Sequence, residues 1–393
     1  MTIPYNKPFI VGKELYYIAQ AVTQHGHLAG DGPFTKLCSS WLEHELSCQK
    51  VLLTNSCTAA LEMSALLCDI QPGDEVILPS FTFVSTANAF VLRGAVPVFV
   101  DIRQDTLNMD ERLLESVITP KTKAIVPVHY AGRGCAMREI LSIADANGLA
   151  VIEDAAQALM SSYEGKKLGT LGTLGCISFH ETKNIISGEG GALLINDEQM
   201  LERAEIIWEK GTNRKKFFRG QVDKYTWVDV GSSFLPSELV AAFLYSQLEH
   251  AAEIISKRRQ ICNYYRDELQ QLAIAGMVTL PLDSADDSIN GHIFHILARN
   301  SRERDDLLNF LKGRGVHAVF HYIPLHSSPA GLRYGRAGTT MQVTDDISSR
   351  IIRLPLYYGM SETEQNVVIQ ALYDYFEGGY ELPIVHSSVA AAL

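Results

Sequence analysis

Between residues 51 and 200 the chain repeats one pattern: a short run rich in valine, isoleucine and leucine, a polar end, then an amphipathic stretch. The runs are Val51–Leu53, Glu75–Pro79, Val96–Val100, Ala124–Val128, Leu149–Ile152, Ile177–Phe179 and Ala192–Ile195. After the first, Ser56 precedes apolar residues at Leu61, Met63, Leu66 and Leu67, so the order reads strand, turn, helix. A second helical stretch lies near Ala87–Leu92. Runs this short, separated by helices, predict an α/β chain whose mostly parallel sheet is covered on both faces. Polar residues gather just past the runs: Asp101, His129, and Glu153 with Asp154. In open α/β sheets that carboxyl edge is where ligands bind.

From Pro236 to about Leu272 the pattern turns helical, with Ser237 placed to cap it and apolar residues through Leu248 and Ile255. Past Pro281, strands are expected at His292–Leu297, Val316–Tyr322 and Leu354–Tyr358, and helices at Arg302–Gly313 and Thr363–Phe376. The last helix opens on a capping box, Ser361-x-x-Glu364. The length, 393 residues, suits one large domain and one smaller. The expected division is a large α/β domain over 1–235, including the N-terminal segment; a linking helix and small α+β domain over 236–376; and a tail over 377–393.

A net charge of −11 argues against unspecific nucleic-acid binding or anionic membranes. No uninterrupted apolar stretch approaches the roughly 18 residues of a membrane-spanning helix, and the first residues do not read as a secretory signal. The seven cysteines include no C-x-x-C pair and several sit in apolar runs, which fits reduced thiols in the cytoplasm. Histidines and cysteines do not fall at zinc-ligand spacing, so no metal is expected.

One lysine stands out by its company. Lys183 follows the run ending at Ser178-Phe179 and precedes Gly188-Glu189-Gly190-Gly191. A lone loop lysine is ordinarily just solvated. Here another run ends in Asp154 and Gln157, and a small-residue turn, Ser56–Ala60, opens a helix. An amine, a carboxylate and a phosphate cradle are what pyridoxal 5'-phosphate requires. A desolvated lysine forms an imine with an aldehyde. A carboxylate, Asp154, keeps the pyridine nitrogen protonated. Hydroxyls and N–H groups at a helix start, from Ser56, Cys57 and Thr58 with Ser178 beside them, suit a phosphate. Phe83 offers the ring an aromatic face, with core packing as its plain alternative.

Together, Thr54–Leu61, Pro79–Asn88, Glu153–Ala158, Ser178–Gly191 and Phe320–His326 resemble the DegT/StrS family of sugar-nucleotide aminotransferases, over about residues 3–376. The resemblance implies the aspartate-aminotransferase fold (fold type I), pyridoxal 5'-phosphate as cofactor, and a homodimer with shared active sites. It places Lys183 on the Schiff-base lysine, Asp154 on the pyridinium partner, and Gln157 against the ring and its phenolic oxygen. Cys57 and Thr58 fall on the phosphate loop, where Cys57 replaces a glycine; Phe83 falls on the stacking aromatic and Ser178 on a phosphate-binding hydroxyl. Many members carry Gly-Tyr-Asn-Tyr-Arg where this chain has Gly231-Ser232-Ser233-Phe234-Leu235. Ser233 keeps a hydroxyl for the cofactor phosphate, while Leu235 loses the arginine's charge.

The resemblance also sets Tyr322 and His326 near the sugar nucleotide, with a hydrogen-bonded turn as the plainer role. The basic segment Lys210 to Arg219 is expected at a subunit boundary, with Arg219 as the phosphate contact. The implied substrates are L-glutamate as donor and a dTDP-4-keto-6-deoxyhexose as acceptor, giving the 4-amino sugar of galacto or gluco configuration. A sugar dehydratase of the same family would carry histidine in place of Lys183. A non-catalytic regulator would often lose the lysine or add a DNA-binding extension.

Overall fold

The computed structural model describes residues 2–282 and 289–378. The strands, in chain order, are β1 (Lys50–Thr54), β2 (Glu75–Pro79), β3 (Val96–Val100), β4 (Thr122–Ile125), β5 (Ala150–Asp154), β6 (Ser162–Tyr163), β7 (Lys166–Lys167), β8 (Leu174–Ser178), β9 (Gly191–Ile195), β10 (His295–Leu297), β11 (Arg336–Ala337) and β12 (Ile351–Arg353). Eight of them form one sheet in the order β1-β9-β8-β5-β4-β2-β3-β11. All neighbours are parallel except those of β9, which runs antiparallel to both β1 and β8. The expected α/β class with a mostly parallel sheet is therefore what forms.

The period of two along each strand builds a core on each face. Leu52 and Leu193 point to one side, where they meet Ala60, Leu61 and Trp208. Val51, Leu53 and Leu194 point to the other and meet Phe34, Leu42 and Leu248. A separate core joins Ile261, Tyr265 and Leu269 to Phe294, Ile296, Leu311, Ile352 and Leu372.

Several sequence expectations change here. The helical stretch after Pro236 is two helices, Glu238–Glu249 and Ala251–Ile274, broken at His250. Ser237 caps the first by accepting from Val240 N. Val316–Tyr322 forms only single bridges, Val316 to Ile3 and Val319 to Arg353. The strand expected at Leu354–Tyr358 lies earlier, at β12, which pairs with β10. Pro324 and Pro355 lack the N–H needed to extend a ladder. Ile3 packs into the C-terminal core rather than the large one, and β11 returns to the edge of the large sheet beside β3. The Ser361–Glu364 capping box is present on helix Glu362–Glu377. Of the tail 377–393, Glu377 ends that helix, and everything past Gly378 lies outside the described residues. No described helix is long and apolar enough to cross a membrane.

Candidate active site

The carboxyl ends of β5 and β8 open on a cavity of about 750 Å³. Lys183 reaches it from the loop between β8 and β9. That loop folds back on itself: Phe179 N donates to Gly190 O at 2.9 Å, Glu181 N to Gly188 O at 2.8 Å, and Lys183 N to His180 O at 2.8 Å. Next to the lysine, Asn184 donates to Asn290 O at 2.9 Å, and its Oδ1 meets His292 Nδ1 at 2.8 Å. Desolvation of the lysine amine pushes its pKa below 10.5, with Cys57 and Asp154 acting in the opposite direction. A neutral amine is the nucleophilic form.

Asp154 ends β5 and is buried. Its Oδ2 accepts from Thr86 Oγ1 at 2.7 Å and its Oδ1 from Ala156 N at 3.1 Å. Thr86 Oγ1 is in turn 2.9 Å from Thr82 Oγ1. Gln157 is held at both ends of its amide: Oε1 accepts from Ala131 N at 2.7 Å, and Nε2 donates to Tyr322 Oη at 2.8 Å. Tyr322 has φ +21°, a backbone angle that bulky residues rarely adopt. Its ring stacks on His321, centroids 3.6 Å apart, and His321 Nδ1 meets Tyr130 Oη at 2.7 Å. Burial pushes the pKa of both His292 and His321 down, so this wall is neutral.

Two helix starts face the same space. Ser56 caps helix Cys57–Leu67, its Oγ accepting from Ala59 N at 3.1 Å. Phe83 precedes helix Val84–Val91, and Thr58 Oγ1 donates to Ser85 Oγ at 2.8 Å, tying the two together. The first residue of β9 must be glycine: a Cβ on Gly191 would lie 2.4 Å from Cys57 N. That close approach brings the lysine loop against the helix start. Ser178 adds a buried hydroxyl. Burial pushes the Cys57 thiol up, so it stays neutral and takes no charge into the cradle. Hydroxyls and N–H groups for an anion, a carboxylate, and an amine whose pKa burial lowers, all in one cavity, fit pyridoxal 5'-phosphate.

A family model described as the DegT/DnrJ/EryC1/StrS aminotransferase family matches residues 10–373. The chain belongs to this family. Like its relatives it is a sugar aminotransferase that uses pyridoxal 5'-phosphate. The spore coat polysaccharide biosynthesis protein SpsC of Bacillus subtilis is 32% identical over 96% of this chain and 97% of its own length. The GDP-perosamine synthase of Escherichia coli O157:H7 is 30% identical over 95% and 98%. The sugar aminotransferase Spr1654 of Streptococcus pneumoniae, solved in its PLP form, superposes with a TM-score of 0.86 at 26% identity, over 94% of this chain and 97% of that one.

Within this family member, Ser56, Cys57, Thr58, Phe83, Asp154, Gln157, Ser178, Lys183 and Tyr322 all line the cavity. Phe83 is 57% exposed, so it is a cavity face rather than core. Three expected contacts do not line it. Ser233 is exposed, and its carbonyl accepts from Asn55 Nδ2 at 3.3 Å. Arg219 ends the short helix Arg214–Phe218 and is drawn to Glu205 at 2.8 Å, away from its own chain's cavity. His326 turns its Nδ1 to Ser80 Oγ at 2.8 Å and its Nε2 toward Asp345 at 3.4 Å, which is the hydrogen-bonded turn.

His129 is fully buried. Cys135 N donates to its Nδ1 at 3.2 Å, which leaves Nε2–H to donate to Glu153 at 2.8 Å. Sequence reasoning missed Tyr5, Thr82, Thr86, His292 and Arg353, which also line the cavity. Thr82 and Thr86 lie inside a quoted motif, but nothing there marks a threonine as a carboxylate partner.

Proposed function

We propose that the chain moves the amino group of L-glutamate to the 4-keto carbon of dTDP-4-keto-6-deoxy-D-glucose, giving dTDP-4-amino-4,6-dideoxy-D-galactose for a surface polysaccharide. What carries this reading is the meeting of Lys183, Asp154 and Gln157 with an anion cradle in one cavity large enough for a further ligand. Bound pyridoxal 5'-phosphate supplies an aldehyde for the amine and a ring that accepts electrons. Ser56, Thr58, Ser85 and Ser178 would hold its phosphate, Phe83 would cover its ring, and Asp154 would hold its pyridine proton. Gln157, fixed by Ala131 and Tyr322, would orient it. Lys183 Nζ, whose pKa burial lowers, would take a proton from the donor's α-carbon and, in the second half-reaction, deliver one to the acceptor's carbon 4.

The test is to incubate the holoenzyme with L-glutamate and the dTDP keto sugar and determine the configuration at carbon 4 by NMR. The galacto product supports the reading; the gluco epimer, or turnover only with a GDP-linked keto sugar, replaces it. We further infer that a second copy covers the face carrying the exposed apolar residues Phe218, Tyr225, Trp227 and Val230, since exposed apolar surface marks interaction sites. Lys215 pairs with Asp31 at 2.7 Å, tying this face to the segment of exposed Leu28. Sedimentation of a dimer supports this, and a monomer at micromolar concentration overturns it.

A further inference from the structure

The side chain next to Lys183 is gripped from two sides. Asn184 is buried, and its Nδ2 donates to Asn290 O at 2.9 Å. A carbonyl only accepts, so the amide nitrogen is fixed on that side and Oδ1 faces His292 Nδ1, 2.8 Å away. His292 therefore carries its hydrogen on Nδ1 and donates it to Asn184. Both grips come from one tripeptide, Asn290-Gly291-His292, which leads into β10 and the C-terminal core. The same tripeptide holds the turn that carries Gln157. Asn290 Nδ2 donates to Gln157 O at 2.9 Å and to Leu159 O at 3.0 Å, and its backbone N donates to Ser161 Oγ at 3.0 Å. Its Oδ1 accepts from His292 N at 3.1 Å, which ties the two grips together. From behind, the buried Arg258 donates Nε to Gly291 O at 3.0 Å and Nη2 to His292 O at 2.8 Å. Gly291 has φ +65°, and a Cβ there would lie 2.8 Å from the Arg258 carbonyl carbon, so only glycine fits.

A proton transfer depends steeply on how the transferring group is placed. Lysine has a long, flexible side chain, so its amine takes a direction from where the backbone on either side is held. The lysine loop and the Gln157 turn both belong to the large sheet, yet a segment of the C-terminal core is what links them. We propose that His292 is a positioning residue for Lys183, acting through the Asn184 amide: with Asn290 it keeps the lysine in register with Gln157 while the proton is moved. The plainer alternative is that the tripeptide only docks the C-terminal core on the sheet, which would cost stability with no specific loss in proton transfer. The proposal rests on Lys183 as the proton carrier but not on the identity of the sugar, because the donor half-reaction needs no sugar nucleotide.

The test compares the holoenzyme with His292→Phe, which keeps a ring and loses the donor, and with His292→Asn, whose amide nitrogen falls near the place of Nδ1. Each is first shown to retain the visible absorbance of bound cofactor. In rapid-mixing bleaching by L-glutamate, His292→Phe is expected to lower the rate constant about 3- to 10-fold, the factor of one neutral hydrogen bond, with little change in KM. The isotope effect of α-deuterated L-glutamate grows, because proton transfer then limits more of the rate. His292→Asn recovers most of the loss. Asn184→Ala slows the reaction to the same extent, and the double variant is no slower than either single one, since both break one link. In the cofactor-free protein, hydrogen exchange over residues 180–185 speeds up in His292→Phe while that of helix Cys57–Leu67 does not. Additive losses in the double variant, a change confined to KM, an unchanged rate, or exchange raised equally in both segments would overturn the proposal. Where His292→Phe fails to hold cofactor, Asn184→Ala carries the same comparisons. A parent that L-glutamate does not bleach refutes the donor reading instead, and the exchange comparison still decides this one.

Discussion

Asp154 can hold a pyridine proton only if its carboxylate stays in place when water leaves the cavity, and Thr86 decides whether it does. Thr86 is fully buried and its hydroxyl is 2.7 Å from Asp154 Oδ2. Thr86→Val keeps the shape and removes this donor. A hydrogen bond to a charged group contributes about 1.5–3 kcal/mol. In the cofactor-free protein, water can enter the open cavity and replace the hydroxyl, so little of that is lost. With cofactor bound the water is excluded and the loss is felt in full. Cofactor affinity should then fall roughly 10- to 150-fold, read by titrating the cofactor-free protein and following the visible band. Thr82→Val removes only the next link, a neutral hydroxyl pair at 2.9 Å, and should cost about 0.5–1.5 kcal/mol. Thr86→Ser should restore most of the affinity. Binding within twofold of the parent in Thr86→Val, or no recovery in Thr86→Ser, refutes the assignment of Thr86 as the residue that positions Asp154.

Lys183→Ala removes the proton carrier, so turnover should fall by at least about 10²–10⁴ while the fold, read by circular dichroism, is kept; near-parental turnover sinks the mechanism. Because burial lowers the pKa of Lys183, its amine in the cofactor-free protein should become reactive toward cyanate at a pH below that of surface lysines. Mass spectrometry across a pH series reads this, and a midpoint at or above 10.5 contradicts the burial argument. Arg219→Ala removes a half-exposed pair with Glu205 and should change unfolding free energy by less than about 1 kcal/mol; a larger loss in urea titration would show that the pair is doing more than lying on the surface.

The sheet and the centre of the candidate site are legible in the sequence because both are written locally. The runs at 75–79 and 96–100 coincide with β2 and β3, since burial on both faces leaves continuous apolar segments. Lys183, Asp154, Gln157 and Thr58 stand just past such runs, where the chain must turn and a ligand can approach. The smaller C-terminal core was read less well. Its strands are only three residues long, too short for a period to show, and Ile3 joins it from the opposite end of the chain.

The identity of the residues that hold the site together was decided by tertiary structure alone. Thr86 reaches Asp154 across 68 positions and Tyr322 reaches Gln157 across 165. His326 and Tyr322 were equal candidates in sequence, four residues apart. The backbone turns one into the cavity and the other toward Ser80. Arg353 carries no local signature at all: it reaches the cavity wall because β12 pairs with β10 and Phe320 O accepts from its guanidinium. Periodicity and strand ends are properties of neighbouring residues, so a sequence states them. Which side chain completes a hydrogen bond depends on where distant segments cross, and only the packed chain sets that.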